Sequence, residues 1–590
     1  MNQEHFKIEG IAAAPGIAIG KALAHRAERP AASQRRVPGH RVEAEVERFH
    51  AALASVCEDV RRTRQRVEHE HGADLAMIFE AQLAMLDDMQ MKDGTLNSIR
   101  TRNWVAERAF SETMAQLRKG FEQIDNEYLR ARVGDLRDIE HQVLVQLAGG
   151  ALSGLQNTRS NTVIFARDLL PSEAAQLGGR LVKGLVTDAG GITSHTSIIA
   201  RSLGLPTVVA IGHASRRVNG GDLVIVDGDR GVVHVRPDVA TVRYYRAQLR
   251  RQHRRERELS ERRDLPAITD DGTEITLLAN VDLPQEIEQA VASGARGVGM
   301  VRTEFLYLGY RLPGEAEQLE SYAQVVRAMA PHPVVIRTVD LGGDKLNDAV
   351  DSLPEANPML GWRGIRICLD TPTLFKTQLR AILQAGAEGN ARILLPMISS
   401  LDEIRRAREI IRQVQTELQQ EGVAHQTDCQ VGVMIEVPSA ALTSEQLAKE
   451  VDFFSLGTND LVQYTLAVDR GTARVAGLYD PLHPAVLRLI KLVADNARVA
   501  EIPVSICGEM AADPVAAVIL MGLGVHLLSV SPAQIPELKE IVRVADLGTA
   551  REVASKSLDL SSGAQVRELV EGAMKKTFLT ARPPRPEEAP

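Results

Sequence analysis

The sequence predicts a multidomain α/β protein that ends in a (β/α)8 barrel, and three observations predict it. At 590 residues the chain exceeds what one hydrophobic core can organise, since single cores stop growing at roughly 250 to 300 residues. No proline occurs between Pro38 and Pro171, and apolar residues in that interval recur at helical spacing. From Ile275 onward, eight short β-rich runs alternate with helical segments over about 300 residues, which suits a (β/α)8 barrel with insertions.

Taken in order, a short apolar, glycine-containing opening runs from Ile11 to Gly20. Val42, Val46, Phe49, Leu53, Val56 and Val60 then fall in steps of four and three on one stripe of one helix. Further stripes, Leu75, Ile78, Phe79, Leu83 and Leu86, and the segment Asp135 to Leu147, complete a helical bundle. From Thr162 the pattern changes to β-rich runs, Thr162 to Ala166, Gly184 to Thr187 and Thr207 to Ile211. A hairpin follows, its arms Leu223 to Val226 and Val232 to Val235 flanking Asp227-Gly-Asp-Arg-Gly231. The span Val239 to Leu265 is very polar and carries Arg250, Arg251, Arg254, Arg255, Arg257, Arg262 and Arg263. Interleaved acids and the absence of stacking aromatics favour a solvated linker helix over an RNA-binding arm. The barrel strands are expected at Ile275–Val281, Val298–Arg302, Val334–Asp340, Ile393–Met397, Val431–Glu436, Phe453–Gly457, Val504–Cys507 and Leu527–Val530. A Pro- and Arg-rich tail from Ala581 is expected to be disordered.

Composition narrows the function. Apolar residues make up 44% and charged residues 25%, an ordinary globular profile. A net charge of −8 argues against a polyanion as the main ligand, so no nucleic acid is expected. Cys57, Cys368, Cys429 and Cys507 form no CxxC pair, which suggests neither a disulfide framework nor a zinc site, and reduced cytosolic thiols are expected. The first residues are polar and no apolar run approaches the roughly 20 residues that span a bilayer, so a cytoplasmic protein without membrane insertion is expected.

A barrel builds its site at the C-terminal ends of its strands. Those ends read Arg302-Thr-Glu304, Arg337-Thr-Val-Asp340 followed by Gly342-Gly-Asp-Lys345, Glu436, Gly457-Thr-Asn-Asp460 and Cys507-Gly-Glu509. Glu436 and Asp460 offer hard oxygen ligands with no thiolate or imidazole, which suits Mg²⁺ completed by waters and a substrate. Arg302, Arg337, Arg363 and Arg470 offer forked donors matched to phosphate and carboxylate oxygens, so the substrate should be a small phosphorylated carboxylic acid. Cys507 fits a buried apolar thiol and a proton donor equally. In the first half, Asp188-Ala-Gly-Gly-Ile-Thr-Ser-His195-Thr-Ser places a glycine pair before a helix start, with His195 beside Thr193, Ser194 and Thr196, hydroxyl residues that could orient its imidazole. From this string alone the histidine is either structural or a nucleophile.

Together these residues resemble the phosphoenolpyruvate-protein phosphotransferase family, Enzyme I of the bacterial sugar phosphotransferase system. The resemblance runs from Gly10-Ile-Ala-Ala-Ala-Pro-Gly-Ile-Ala through Gly190-Gly-Ile-Thr-Ser-His-Thr-Ser, Arg302-Thr-Glu-Phe-Leu and Gly361-Trp-Arg. It continues to Gly432-Val-Met-Ile-Glu, Gly457-Thr-Asn-Asp-Leu-Val-Gln-Tyr and Cys507-Gly-Glu. It implies that His195 is phosphorylated, that Arg302, Arg337 and Arg470 with Asn459 hold phosphoenolpyruvate, that Glu436 and Asp460 bind Mg²⁺, and that Cys507 protonates the enolate. It also implies a phosphocarrier partner, HPr, docking near Phe79 to Leu86 and Arg132, and a homodimer formed through the barrel. The implied domains are a phosphohistidine α/β domain (1–37 and 150–238), an inserted helical HPr-docking subdomain (38–149), a linker helix (239–265), a phosphoenolpyruvate-binding TIM barrel (266–578) and a disordered tail (579–590).

Ile192 stands where many relatives carry a basic residue, and Leu170 where a hydroxyl residue orients the histidine. Both bear on the tuning of His195, not on its identity. The chain is expected to begin directly at the phosphohistidine module, without a preceding sensory or carrier domain. A dikinase or phosphoenolpyruvate synthase would need an ATP-binding domain for which no segment is spare. A Mg²⁺-dependent lyase acting on a pyruvate enolate would leave the His195 string idle, and a non-catalytic relative would not need every catalytic residue type. In the expected relay, His195 visits both the barrel mouth and the carrier, and the polar linker helix permits the swivel.

Overall fold

The structure is a computed structural model that describes residues 5–25, 35–71, 73–123, 133–149, 161–174, 182–191, 194–307, 312–342, 355, 357–470, 472 and 474–581. Ile192, Thr193, Arg132, residues 343–345 of the string that follows Asp340 and residues 582–590 lie outside them. The chain divides into two compact units, Met1–Arg254 and Arg255–Pro590.

The first unit holds an eight-stranded sheet made of β1 (Phe6–Glu9), β2 (Ile11–Ala14), β3 (Ile17–His25), β4 (Thr162–Ala166), β5 (Val182–Thr187), β6 (Thr207–Val209), β7 (Leu223–Asp227) and β8 (Val232–Val235), in the order β1-β8-β7-β3-β4-β5-β6-β2. β3 to β6 run parallel, β4 is buried at every residue, and β7 and β8 form the antiparallel hairpin the turn residues predict. The apolar opening supplies three strands. β1 and β2 pair at opposite edges although Gly10 alone separates them. A Cβ at position 10 would lie 2.6 Å from Val209 O, so the close approach of the two edges depends on that glycine.

The interval expected as a bundle folds into α1 (Val42–His71), α2 (Ala73–Asp87), α3 (Met89–Arg102), α4 (Ala106–Gln123) and α5 (Val133–Leu147). The α1 stripe lies inward, with Val46, Phe49, Leu53, Val56 and Val60 all buried against Phe110, Met114 and Ile139. This core extends to Ala174 and Ile199, which belong to the short helix α6 (Pro171–Ala174) and to α7 (His195–Ser202). On α2, Phe79 and Leu86 are completely buried, as is Gln82. The stripe on α2 thus packs as core, and that helix exposes Glu80, Ala84 and Asp87.

The polar helix α8 runs Val239–Glu261, four residues shorter than expected. Leu265 precedes Pro266, which disfavours helical backbone there, and the chain turns through 262–264. In the second unit, strands β9 (Thr276–Val281), β10 (Val298–Val301), β11 (Pro333–Arg337), β12 (Asn390–Leu395), β13 (Gln430–Ile435), β14 (Phe453–Leu456), β15 (Val504–Ile506) and β16 (Leu527–Val530) close into an all-parallel barrel. All eight expected strands are present. β11 stops at Arg337 rather than Asp340 because, after Thr338 N bonds Leu394 O, the following amides turn to side chains: Val339 N donates to Gln378 Oε1 at 3.0 Å and Asp340 N to Glu304 Oε1 at 3.0 Å. The barrel interior is filled by Met300, Val335, Leu394, Met434, Phe453 and Cys507, while a larger core lies between strands and helices. The last helix, Gly563–Ala581, runs past the boundary expected at 578. Among the described residues no helix is long and apolar enough to cross a membrane.

Candidate active site

The ends of five strands and the loops after them surround a cavity of about 260 Å³. Arg302, Arg337, Arg363, Glu436, Asn459, Asp460, Arg470 and Cys507 all line it, so every barrel residue singled out from sequence is brought together. The volume is small and suits a ligand of few heavy atoms.

At its base lie three buried carboxylates, Asp340, Glu436 and Asp460, whose oxygens come within 4.8 Å of one another. The sequence singles out Glu436 and Asp460 for a metal; Asp340 joins them because the chain leaves β11 at Arg337, three residues before it. Glu436 Oε1 accepts the Met397 amide at 2.6 Å, and Met397 adopts the left-handed φ of 57° that aims this N–H inward. Gly457 leaves room for the carboxylate, since a Cβ there would stand 2.8 Å from Glu436 Oε2. Burial, then the charges of Asp340 and Asp460, push the Glu436 carboxyl up to about 8.

Two guanidiniums face these three carboxylates. Arg337 reaches Glu304 Oε1 at 2.9 Å and Asp340 Oδ2 at 3.1 Å. Arg363 forks onto Asp340 at 2.8 and 3.1 Å and reaches Asp460 Oδ2 at 3.3 Å. Burial opposes both charges, but the surrounding carboxylates outweigh it and hold both groups protonated. Arg363, expected to meet substrate, is thus bonded to the acidic cluster. The donor set fits a hard divalent cation: three carboxylates exceed two guanidiniums, no thiolate or imidazole belongs to the cluster, and the mutual repulsion that lifts Glu436 is what a cation would relieve.

Around the rim, Arg302 is forked by Asp282 at 2.8 and 2.9 Å, and Arg470 is exposed. Asn459, at the start of the helix α9 (Thr458–Leu466), accepts the Glu509 amide at 3.0 Å and donates to Glu509 Oε1 at 3.3 Å, which fixes its amide plane. Cys507 is 3% exposed; Ser455 Oγ donates to its Sγ at 3.3 Å. Burial pushes its thiol up, more than Ser455 and Arg337 pull it down, so the sulfur is protonated at neutral pH.

In the first unit His195 opens α7, with Ser194 as its N-cap. Of the hydroxyl residues expected to orient the imidazole, Thr193 lies outside the described residues, and Ser194 and Thr196 bond other groups. Ser194 Oγ accepts the Ser197 amide at 3.3 Å, as the helix end requires. Thr196 Oγ1 donates to Leu169 O at 3.0 Å. Leu170 offers no hydroxyl, and its amide donates to Glu173 Oε2 at 3.1 Å.

Three family models match the chain: PEP-utilising enzyme, PEP-binding domain, over residues 256–547; PEP-utilising enzyme, N-terminal, over 9–132; and PEP-utilising enzyme, mobile domain, over 158–231. The chain is 40% identical over 565 residues to the phosphoenolpyruvate-protein phosphotransferase of Haemophilus influenzae, covering 96% of this chain and 98% of that protein. It is 43% identical over 564 residues to those of a Bacillus species and of Geobacillus stearothermophilus, covering 93% of this chain and 97% of each. Likeness of this extent spans both units, the His195 helix and the barrel mouth alike, and the chain belongs to the phosphoenolpyruvate-protein phosphotransferase family.

Proposed function

We propose that the protein takes the phosphoryl group of phosphoenolpyruvate onto its own His195, releases pyruvate, and passes the group to a histidine of the phosphocarrier HPr, as the first component of the sugar phosphotransferase system. The observation that carries this reading is the barrel mouth, where arginines suited to a phosphate and a carboxylate surround a buried acidic cluster and a protonated thiol.

In this reading Arg302, Arg337 and Arg470 with Asn459 grip the phosphate and carboxylate of the substrate. Asp282 pre-aims Arg302 and Glu509 pre-aims Asn459, so little ordering remains for binding to supply. Glu436, Asp460 and Asp340 would hold Mg²⁺, which when bound supplies positive charge against the phosphoryl oxygens. Arg363 keeps Asp340 and Asp460 in place. The neutral imidazole of His195 attacks phosphorus, the bond from phosphorus to the enol oxygen breaks, and the electron pair leaves as the enolate. Cys507 gives its S–H proton to the methylene carbon to form pyruvate, and solvent restores the thiol. The Val239–Glu261 helix is the segment that lets the histidine serve both steps. A cytoplasmic homodimer joined through the barrel completes the proposal.

The test is incubation with phosphorus-labelled phosphoenolpyruvate and Mg²⁺, in wild type and His195→Ala, with and without HPr. Acid-labile label should enter only the wild type and move to HPr. Pyruvate formed with no labelled protein would replace the relay by a lyase.

A further inference from the structure

Among the described buried charges of the first unit, Asp138 on α5 is one whose role the relay leaves open. Its side chain is completely buried, and its two oxygens receive four donors. Ser172 supplies its amide at 2.9 Å and its hydroxyl at 2.6 Å, Gln82 its Nε2 at 3.0 Å, and Gln142 its Nε2 at 3.1 Å. An ionised carboxylate has about four acceptor sites, and here they match four donors. None of the four donors carries a charge, and burial pushes the carboxyl up more than the four bonds pull it down, an arrangement that is costly unless every bond is kept.

The bonds lead toward the histidine. Gln82, Asp138 and Gln142 belong to the helical bundle, whereas Ser172 belongs to α6, immediately after the turn Leu169–Leu170. That turn is held on its other side by Glu173, which accepts the Leu170 amide at 3.1 Å and meets His25 Nε2 at 2.9 Å. The carbonyl of Leu169 then accepts Thr196 Oγ1 at 3.0 Å, one residue from His195 in the first turn of α7. Ala174 and Ile199, from α6 and α7, lie in the bundle core as well.

We propose that Asp138 is a positioning residue for the phosphoryl transfer: through Ser172 and the Leu169–Leu170 turn it ties the helical bundle to the helix start that carries His195. This rests on the phosphohistidine relay proposed above. It assigns the bundle a part in setting the histidine's geometry in addition to any part in receiving a carrier.

The experiment uses the full chain as wild type, Ser172→Ala, Asp138→Asn and the double variant, each checked for folding by circular dichroism. Three quantities are read: the rate of acid-labile labelling from labelled phosphoenolpyruvate, the KM for phosphoenolpyruvate, and the pH profile of labelling. Labelling is expected to slow by about tenfold or more, because small misplacements of a reacting group have effects of that order. KM should stay within about twofold, the pH profile should move, and the double variant should be no slower than Asp138→Asn alone, as members of one network behave. If Asp138→Asn does not fold, Ser172→Ala, which removes one hydroxyl, decides the matter. Folded variants that label at the wild-type rate with an unmoved pH profile would overturn the assignment. A wild type that takes no label would instead remove the relay reading itself.

Discussion

Replacing Cys507 by alanine separates chemistry from stability more cleanly than any other change at the barrel mouth. The thiol is buried among Met300, Val335, Leu394, Met434 and Phe453, with Ser455 Oγ 3.3 Å and Leu456 O 3.6 Å from the sulfur. Deleting it removes about one methylene's worth of apolar contact, near 1 kcal/mol. Loss of a positioned proton donor lowers a rate by about 10² to 10⁴-fold, or roughly 3 to 5 kcal/mol of barrel-mouth catalysis. Activity should therefore fall by powers of ten while the melting temperature moves by a few degrees at most. Rapid quench with labelled phosphoenolpyruvate follows the two products separately: pyruvate should lag far behind label on the protein in Cys507→Ala and keep pace with it in wild type. The pH dependence has a defined sign. The sulfur works in its protonated form, and burial raises its pKa, so pyruvate formation should decline only as pH climbs past the ordinary thiol range. A folded Cys507→Ala protein that releases pyruvate at the wild-type rate would refute the assignment and make water the proton source.

Two other perturbations read the surroundings of the sites. Asp340→Asn takes the shared counter-charge from Arg337 and Arg363, so it should destabilise the barrel by about 3 to 5 kcal/mol and raise the Mg²⁺ concentration needed for half-maximal activity; thermal melts and a Mg²⁺ titration that both match wild type would contradict it. Burial works to raise the Glu173 carboxyl, but the His25 hydrogen bond, the Leu170 amide and the charges of His25 and His141 prevail and lower it. Its stabilisation is therefore present above its unfolded value of 4.5 and lost as pH falls through the lower folded value. Glu173→Gln should flatten that acid limb, and melting curves taken down to about pH 3 that run parallel in the two proteins would count against it.

The barrel was legible because parallel strands buried on both faces are written as short apolar runs, and Val431-Gly-Val-Met-Ile or Phe453-Phe-Ser-Leu can hardly be anything else. Its mouth was legible for the same reason, since a polar residue directly after such a run marks a strand end. Asp340 escaped because it lies three residues past its strand, carried there by bonds to Glu304 and Gln378 that no local pattern announces. The first strands escaped because Ile11-Ala-Ala-Ala has little of the β-branched character by which strands are recognised; β6 holds it in place through long-range pairing. Phe79 and Leu86 were legible as one inward helical face because their spacing repeats the helical period. The partners of Asp138 lie 56, 34 and 4 residues away, a distribution that only the folded chain reveals.

The pairing of β1 and β2 to opposite margins makes the opening segment a clasp. An open sheet has two borders, each a template for joining another chain, and in this sheet both are formed by one segment. Here a single nine-residue stretch, Phe6 to Ala14, covers β8 on one side and β6 on the other, bent at Gly10. Any event that peels this stretch away, whether a proteolytic nick, a pull on the leading end or a bulky residue at position 10, uncovers both borders together. The rims of the sheet then pass in one motion from the short strands β1 and β2 to β8 and β6, so self-association of the first unit should appear abruptly rather than by degrees.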